Sequence, residues 1–108
     1  MSSTFGPAEA QAYIHKLLTV MHHQGGSDLF ISADFPPSMK YQGAMKPLSQ
    51  QRLSGEVARA LALSLMNERQ RGEFEAEMES NFAISLPGVC RFRVNVFVQQ
   101  QSVSMVVR

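Results

Sequence analysis

One cysteine in the whole chain excludes an internal disulfide framework. No run of about 18 apolar residues occurs, so the sequence carries no signal for a membrane-crossing helix. A basic n-region followed by an apolar stretch is also missing, so no secretory signal peptide is expected among these residues. Neither sign of charge dominates. Ten Lys and Arg stand against nine Asp and Glu, and the net charge of +1 excludes bulk attraction to nucleic acid or an acidic membrane. Internal repeats and low-complexity segments are absent. His15, His22 and His23 have no Cys, Asp or Glu at ligand spacing beside them, so they read as surface histidines, not a metal site.

What remains is one globular domain of 108 residues, 44% hydrophobic, large enough for a single modest core. Residues 1–6 read as a disordered lead and 7–108 as the domain. Pro7 suits the first turn of a helix, and Ile14, Leu17, Leu18 and Met21 recur at helical spacing until Gly25-Gly26 ends it. Leu29-Phe30-Ile31 reads as a strand. Met39–Tyr41 and Ala44–Lys46 read as a hairpin about Gln42-Gly43. Ser49 is expected to cap a second helix with the stripe Leu53, Val57, Leu61 and Leu65, in which Gly55 is a weak point. Asn67, with Gln70 three residues on, caps a third helix whose narrow buried edge is Phe74 and Met78. Its glutamates at 68, 73, 75, 77 and 79 spread around the helix and read as a solvated face, or as an acidic contact surface for a neighbouring subunit. Strands are expected at 81–85, 88–98 and 102–108. The pattern is α+β. The final strand stops abruptly at Arg108, as in a piece of a longer protein.

The most informative stretch is Gly88–Val98. Side chains alternate across a strand, so Cys90, Phe92, Val94, Val96 and Val98 share an apolar face. Arg91, Arg93 and Asn95 share the other. In the last strand Val103, Met105 and Val107 are the apolar set. Antiparallel partners that share a core face must then have numbers with an odd sum. A tight turn at Gln100-Gln101, or a four-residue loop over 99–102, pairs Val98 with Val103, Val96 with Met105 and Val94 with Val107. On the opposite face Asn95 meets Val106 and Arg93 meets Arg108. Like charges directly opposite cost a sheet up to about 1 kcal/mol, which makes sense if an anion or an acidic partner sits between them; the bland alternative for Arg91, Arg93 and Arg108 is a solvated strand face. Phe92 and Phe97 fall on opposite faces, which argues against a base-stacking platform. Cys90 packs as a small hydrophobe. Asp28 suits backbone hydrogen bonding where the first helix hands over to its strand.

Six segments recur in the order and separation of a known family. They are Gly26–Ser32, Pro36–Lys40, Met66–Arg71, Phe74-Glu75, Asn81–Ile84 and Gly88–Asn95. Over about residues 9–108 the chain resembles the N-terminal domain of the type IV pilus retraction ATPases, the PilT/PilU family. Phe30 and Pro36-Pro37-Ser38-Met39-Lys40 look closer to the PilU branch. The resemblance implies a PAS-like α+β domain, a mainly antiparallel sheet packed by about three helices. It implies a RecA-like ATPase domain following in the parent protein, with ATP and Mg2+ as its cofactors. Further implications are a cytoplasmic hexamer peripheral to the inner membrane, a PilT-like motor and the pilus platform protein as partners, and no nucleic acid. Family arginines on the final strands reach the nucleotide phosphates. That role falls on Arg93 first, then Arg91, with Arg108 matching the arginine that closes the last strand. Asp28 becomes a structural or interdomain residue.

Two departures stand out. The phosphate-cradling Gly-x-x-x-x-Gly-Lys-Ser/Thr motif and the family's acidic and histidine boxes are absent from these residues, so this segment is not expected to hydrolyse ATP alone and needs no cofactor itself. Gln99–Ser102 lacks the glycine often found at that turn. The rival reading is a stand-alone PAS-like module that senses a small ligand or binds a protein; it needs an interior pocket, whereas the expected core is filled by Leu, Phe, Val and Met.

Overall fold

The computed structural model describes residues 6–108. The lead expected over 1–6 therefore lies outside the description except for Gly6, which is the N-cap of the first helix. Helix α1 spans Pro7–His23 and buries Ala10, Ile14, Leu17, Leu18 and Met21 along one stripe. Pro7 sits in its first turn, and the Glu9 carboxylate accepts from Gly6 N–H at 2.9 Å. Gly25 then takes the left-handed conformation (φ 79°), and the Gly26 N–H donates back to the Met21 carbonyl. A Cβ on Gly26 would sit 2.8 Å from both Met21 and Met39, so glycine is what lets the chain turn this close to the core.

Strand β1 (Asp28–Ile31) follows, then β2 (Ser38–Tyr41) and β3 (Ala44–Pro47). The β2–β3 turn is the expected Gln42-Gly43 pair, with both φ values positive as a type I′ turn requires. Helix α2 spans Gly55–Leu63 and α3 spans Glu68–Glu77. The chain closes with β4 (Glu79–Leu86), β5 (Cys90–Gln99) and β6 (Ser102–Val107). All six strands form one antiparallel sheet in the order β3-β2-β1-β6-β5-β4. The expected α+β architecture with three helices is the observed one.

The helices supply the core on one side of the sheet. Ile14, Leu18, Leu61, Ala62 and Phe74 meet Leu29, Ile31, Val94, Val96, Met105 and Val107, all of them buried. Burying a side chain of this size stabilises the fold by about 1.5–3 kcal/mol.

Two sequence expectations need correction. The cap of α2 is Ser54, not Ser49: the Ser54 hydroxyl accepts from Val57 N–H at 3.1 Å. Ser49 instead accepts from Gln51 N–H in a local turn. The reason is Leu53, whose backbone pairs with Phe35 and Asp34 and holds the preceding segment out of a helix. Gly55 is thereby a first-turn residue, not an interior weakness. Met78 is not a buried edge of α3. It ends the helix in the left-handed conformation (φ 61°) and lies 56% exposed, while Phe74 is fully buried. The Asn67–Gln70 capping box forms as expected.

The β5–β6 register is the one read from parity. Val98 pairs with Val103, Val96 with Met105, Val94 with Val107 and Asn95 with Val106. The turn is the two-residue Gln100-Gln101, with φ 53° and 66°. The pairing overrides the residues' reluctance to be left-handed.

Candidate functional site

The face of the sheet opposite the helices carries the polar residues in rows. Lys40 pairs with Asp28 across β2 and β1. Continuing the β1–β6 register brings Arg108 beside Asp28, and the Arg108 Nε donates to Asp28 Oδ2 at 3.0 Å. Arg93 lies opposite Arg108: each N–H donates to the other's carbonyl at 2.8 Å. Ala83 completes the row on β4. One row further along lie Ser38, Phe30, Val106, Asn95 and Asn81. Arg91 sits two residues beyond Arg93, opposite Ser85.

The β4, β5 and β6 members of these rows floor an open cleft of about 780 Å³, lined in part by Arg91, Arg93, Arg108, Asn81 and Asn95. All three arginines expected from the sequence are therefore brought together, and all are exposed. Among the described residues Arg91 and Arg93 have no side-chain hydrogen-bond or ion-pair partner. Arg108 is held at its base by Asp28, whose side chain is only 16% exposed. Asp28 thus accepts from an arginine rather than from the backbone as expected. Asp28 is the one carboxylate set among the three arginines and Lys40; Glu79, on the same face, stands at the far end of β4, across from Phe97. The small Ala83 leaves room above Arg93.

Chemically, such a surface can receive an anion. Guanidinium groups present paired N–H donors that match phosphate oxygens, and no acidic group faces Arg91 or Arg93 to satisfy them. The sequence reading passed over Asn81, which lines the cleft. Its amide oxygen accepts from Asn95 Nδ2 at 2.6 Å, directly across β4 and β5. The signal was available: the three-residue loop Pro87–Val89 fixes that register, and it places the two asparagines side by side. Ser104 is also on this face yet buried, and it accepts from the Ser32 hydroxyl at 3.2 Å. Among the described residues, no three His, Cys, Asp or Glu side chains cluster as metal ligands would. The glutamates of α3 are partly used within the chain: Glu75 pairs with Arg59 of α2, and Glu73 with Arg69 one turn back.

No family model matches the chain. Curated relatives do. It is 50% identical over 93 residues to the type IV pilus ATPase PilU of Pseudomonas aeruginosa, covering 86% of the chain and 24% of that protein. It is 38% identical over 95 residues to the type IV pilus retraction ATPase PilT of the same organism, covering 88% of the chain and 28% of that protein. The chain thus spans about a quarter of the length of the relatives it matches. Among solved structures, a crystal structure of the pilus retraction motor PilT with bound ADP superimposes with a TM-score of 0.81 at 34% identity. That match covers 88% of this chain and 28% of the other. The Legionella pneumophila ATPase DotB shares the fold alone, with a TM-score of 0.76 at 17% identity over the whole chain and 30% of DotB.

Proposed function

This chain belongs to the PilT/PilU family of type IV pilus ATPases, as an N-terminal domain of that family, and on that premise we propose that it is the regulatory and oligomerisation domain of a hexameric retraction motor. Its arginine face covers nucleotide held by an ATPase domain outside these residues and packs on the ATPase domain of a neighbouring subunit. Arg93 and Arg108 meet the phosphates, with Arg91 at the margin. ATP and Mg2+ are bound by the parent protein. That protein works in the cytoplasm at the inner membrane, with a PilT-like motor and the pilus platform protein as partners.

The observation that carries this reading is Arg93 and Arg108 side by side in an open cleft, with Asp28 holding Arg108 from β1. Two cations are forced side by side by backbone pairing, and one is already half-satisfied by a carboxylate. A phosphate arriving between them gives Arg93 a partner and competes with Asp28 for Arg108. The domain arrangement that allows that contact is favoured when phosphate is present. Nucleotide state becomes a shift in population between arrangements. The rival reading as a ligand sensor requires an interior cavity, whereas here the space between helices and sheet is filled by the core described above.

The test is made in the full-length protein. Arg93→Ala and Arg108→Ala are each introduced, and ATPase rate and pilus retraction are measured. A loss of both activities in either variant with the fold intact supports the assignment. Unchanged activity in both variants defeats it.

A further inference from the structure

The outer face of β5 changes chemistry along its length. Every second residue points to this face, so Arg91, Arg93, Asn95 and Phe97 stand in line about 7 Å apart. The order is cation, cation, amide, aromatic. On β4, Asn81 lies opposite Asn95 and Glu79 opposite Phe97. Asn81 borders two clefts. One holds the three arginines, and the other is walled by Glu73, Glu77 and Glu79. The amide pair therefore marks the line where a basic surface gives way to an acidic one.

The bonding capacity of the pair is only half used. Asn95 Nδ2 donates to Asn81 Oδ1 at 2.6 Å, which sets the two side chains against each other. Among the described residues this leaves the Asn81 amide hydrogens and the Asn95 amide oxygen without a partner. Asn81 is exposed and Asn95 half-buried, both within the arginine cleft. A phosphate offers acceptors only, and the Asn95 oxygen would repel it. A hydroxyl group both donates and accepts, so it satisfies both amides at once.

We propose that Asn81 and Asn95 bind the ribose hydroxyls of the nucleotide whose phosphates meet Arg93 and Arg108. Charge sets the direction of the nucleotide. The carboxylates around Glu79 repel phosphate, so the phosphates stay at the arginines and the sugar points to the amides. Spacing agrees with this direction. The step from Arg93 to Asn95 is about 7 Å, close to the length of the phosphate chain between a terminal phosphate and its sugar. The pair touches the substrate away from the bond that breaks, so it acts on affinity and specificity and leaves the chemical step alone. The assignment rests on the nucleotide reading proposed above, and the two fail differently.

The test is steady-state hydrolysis of ATP, 2′-deoxy-ATP and 3′-deoxy-ATP by the full-length protein. In the unaltered protein KM for at least one deoxy analogue should exceed that for ATP by about three- to tenfold, the worth of one exposed hydrogen bond, with kcat unchanged. Asn95→Ala and Asn81→Ala should raise KM for ATP to the level of that analogue and leave KM for the analogue where it was. A purely structural role would shift all three nucleotides together. The analogue comparison in the unaltered protein needs no variant, so it decides even if one fails to fold. Equal KM values for the three nucleotides overturn the proposal, as does a discrimination that survives in both variants. If Arg93→Ala and Arg108→Ala leave hydrolysis unchanged, the nucleotide reading falls and this assignment with it. If they abolish hydrolysis while the asparagine variants still discriminate, the sugar assignment alone falls.

Discussion

Removing the charge of Arg93 should make this domain more stable, not less. Arg93 and Arg108 exchange both backbone hydrogen bonds, so they form the wider type of antiparallel pair, with Cα atoms about 5.5 Å apart. Their guanidinium groups can splay to about 7 Å, where two unit charges in water repel by about 0.6 kcal/mol. That agrees with the 0.2–1 kcal/mol range typical of cross-strand pairs. Asp28 draws Arg108 toward β1 and relieves part of this, leaving about 0.5 kcal/mol. Arg93→Gln keeps the stem and removes the charge. Unfolding entropy near 2.1 cal/mol/K per residue then converts the gain over 108 residues into about 2 °C of melting temperature. Urea and thermal unfolding of the chain, followed by circular dichroism at low salt, measure it. In about 1 M salt the screening length falls to about 3 Å and the gain should vanish. Inorganic polyphosphate should raise the melting temperature of the unaltered chain more than that of the variant, because only the former offers two cations. If Arg93→Gln is less stable at low salt, or keeps its full gain at high salt, the two arginines do not repel and the anion argument loses its basis.

The Gln100-Gln101 turn should improve when changed to Asn-Gly, since both residues are left-handed; about 1 kcal/mol of added stability in urea titration, with β5–β6 pairing unchanged, is expected. Asp28→Asn should cost about 0.5–1 kcal/mol by the same measurement, because its partner Arg108 is mostly exposed, and the freed Arg108 should bind polyphosphate more tightly in calorimetry.

Much of the site was legible because parity is unforgiving. Moving β6 by one residue would have turned Val103, Met105 and Val107 away from the helices, so the apolar pattern alone set Arg93 opposite Arg108. Local chemistry also read true at Asn67, at Gln42-Gly43 and at Gly25. What failed was decided at a distance. Ser49 and Ser54 are equally good caps in isolation, and the choice was made by Leu53 pairing with Phe35 eighteen residues earlier. Met78 sits at the correct helical spacing from Phe74, but the strand begins at once and pulls it into the left-handed region. The Asp28–Arg108 contact joins residues 80 apart, and no local pattern announces that β1 lies beside β6.

That strand order has a consequence for how the domain comes into being. The last strand made, β6, is inserted between β1 and β5, in the middle of the sheet. As the chain emerges from the ribosome, β1–β3 and β4–β5 can each form a local ribbon, but they cannot join. The pairing of Leu29 with Val107 joins residues 78 apart, the kind of long loop closure that slows folding. Until residue 107 is free, both ribbons show inward edges that are later covered. Val107 is followed at once by Arg108, so the arginine row is assembled in the same step that joins the two ribbons.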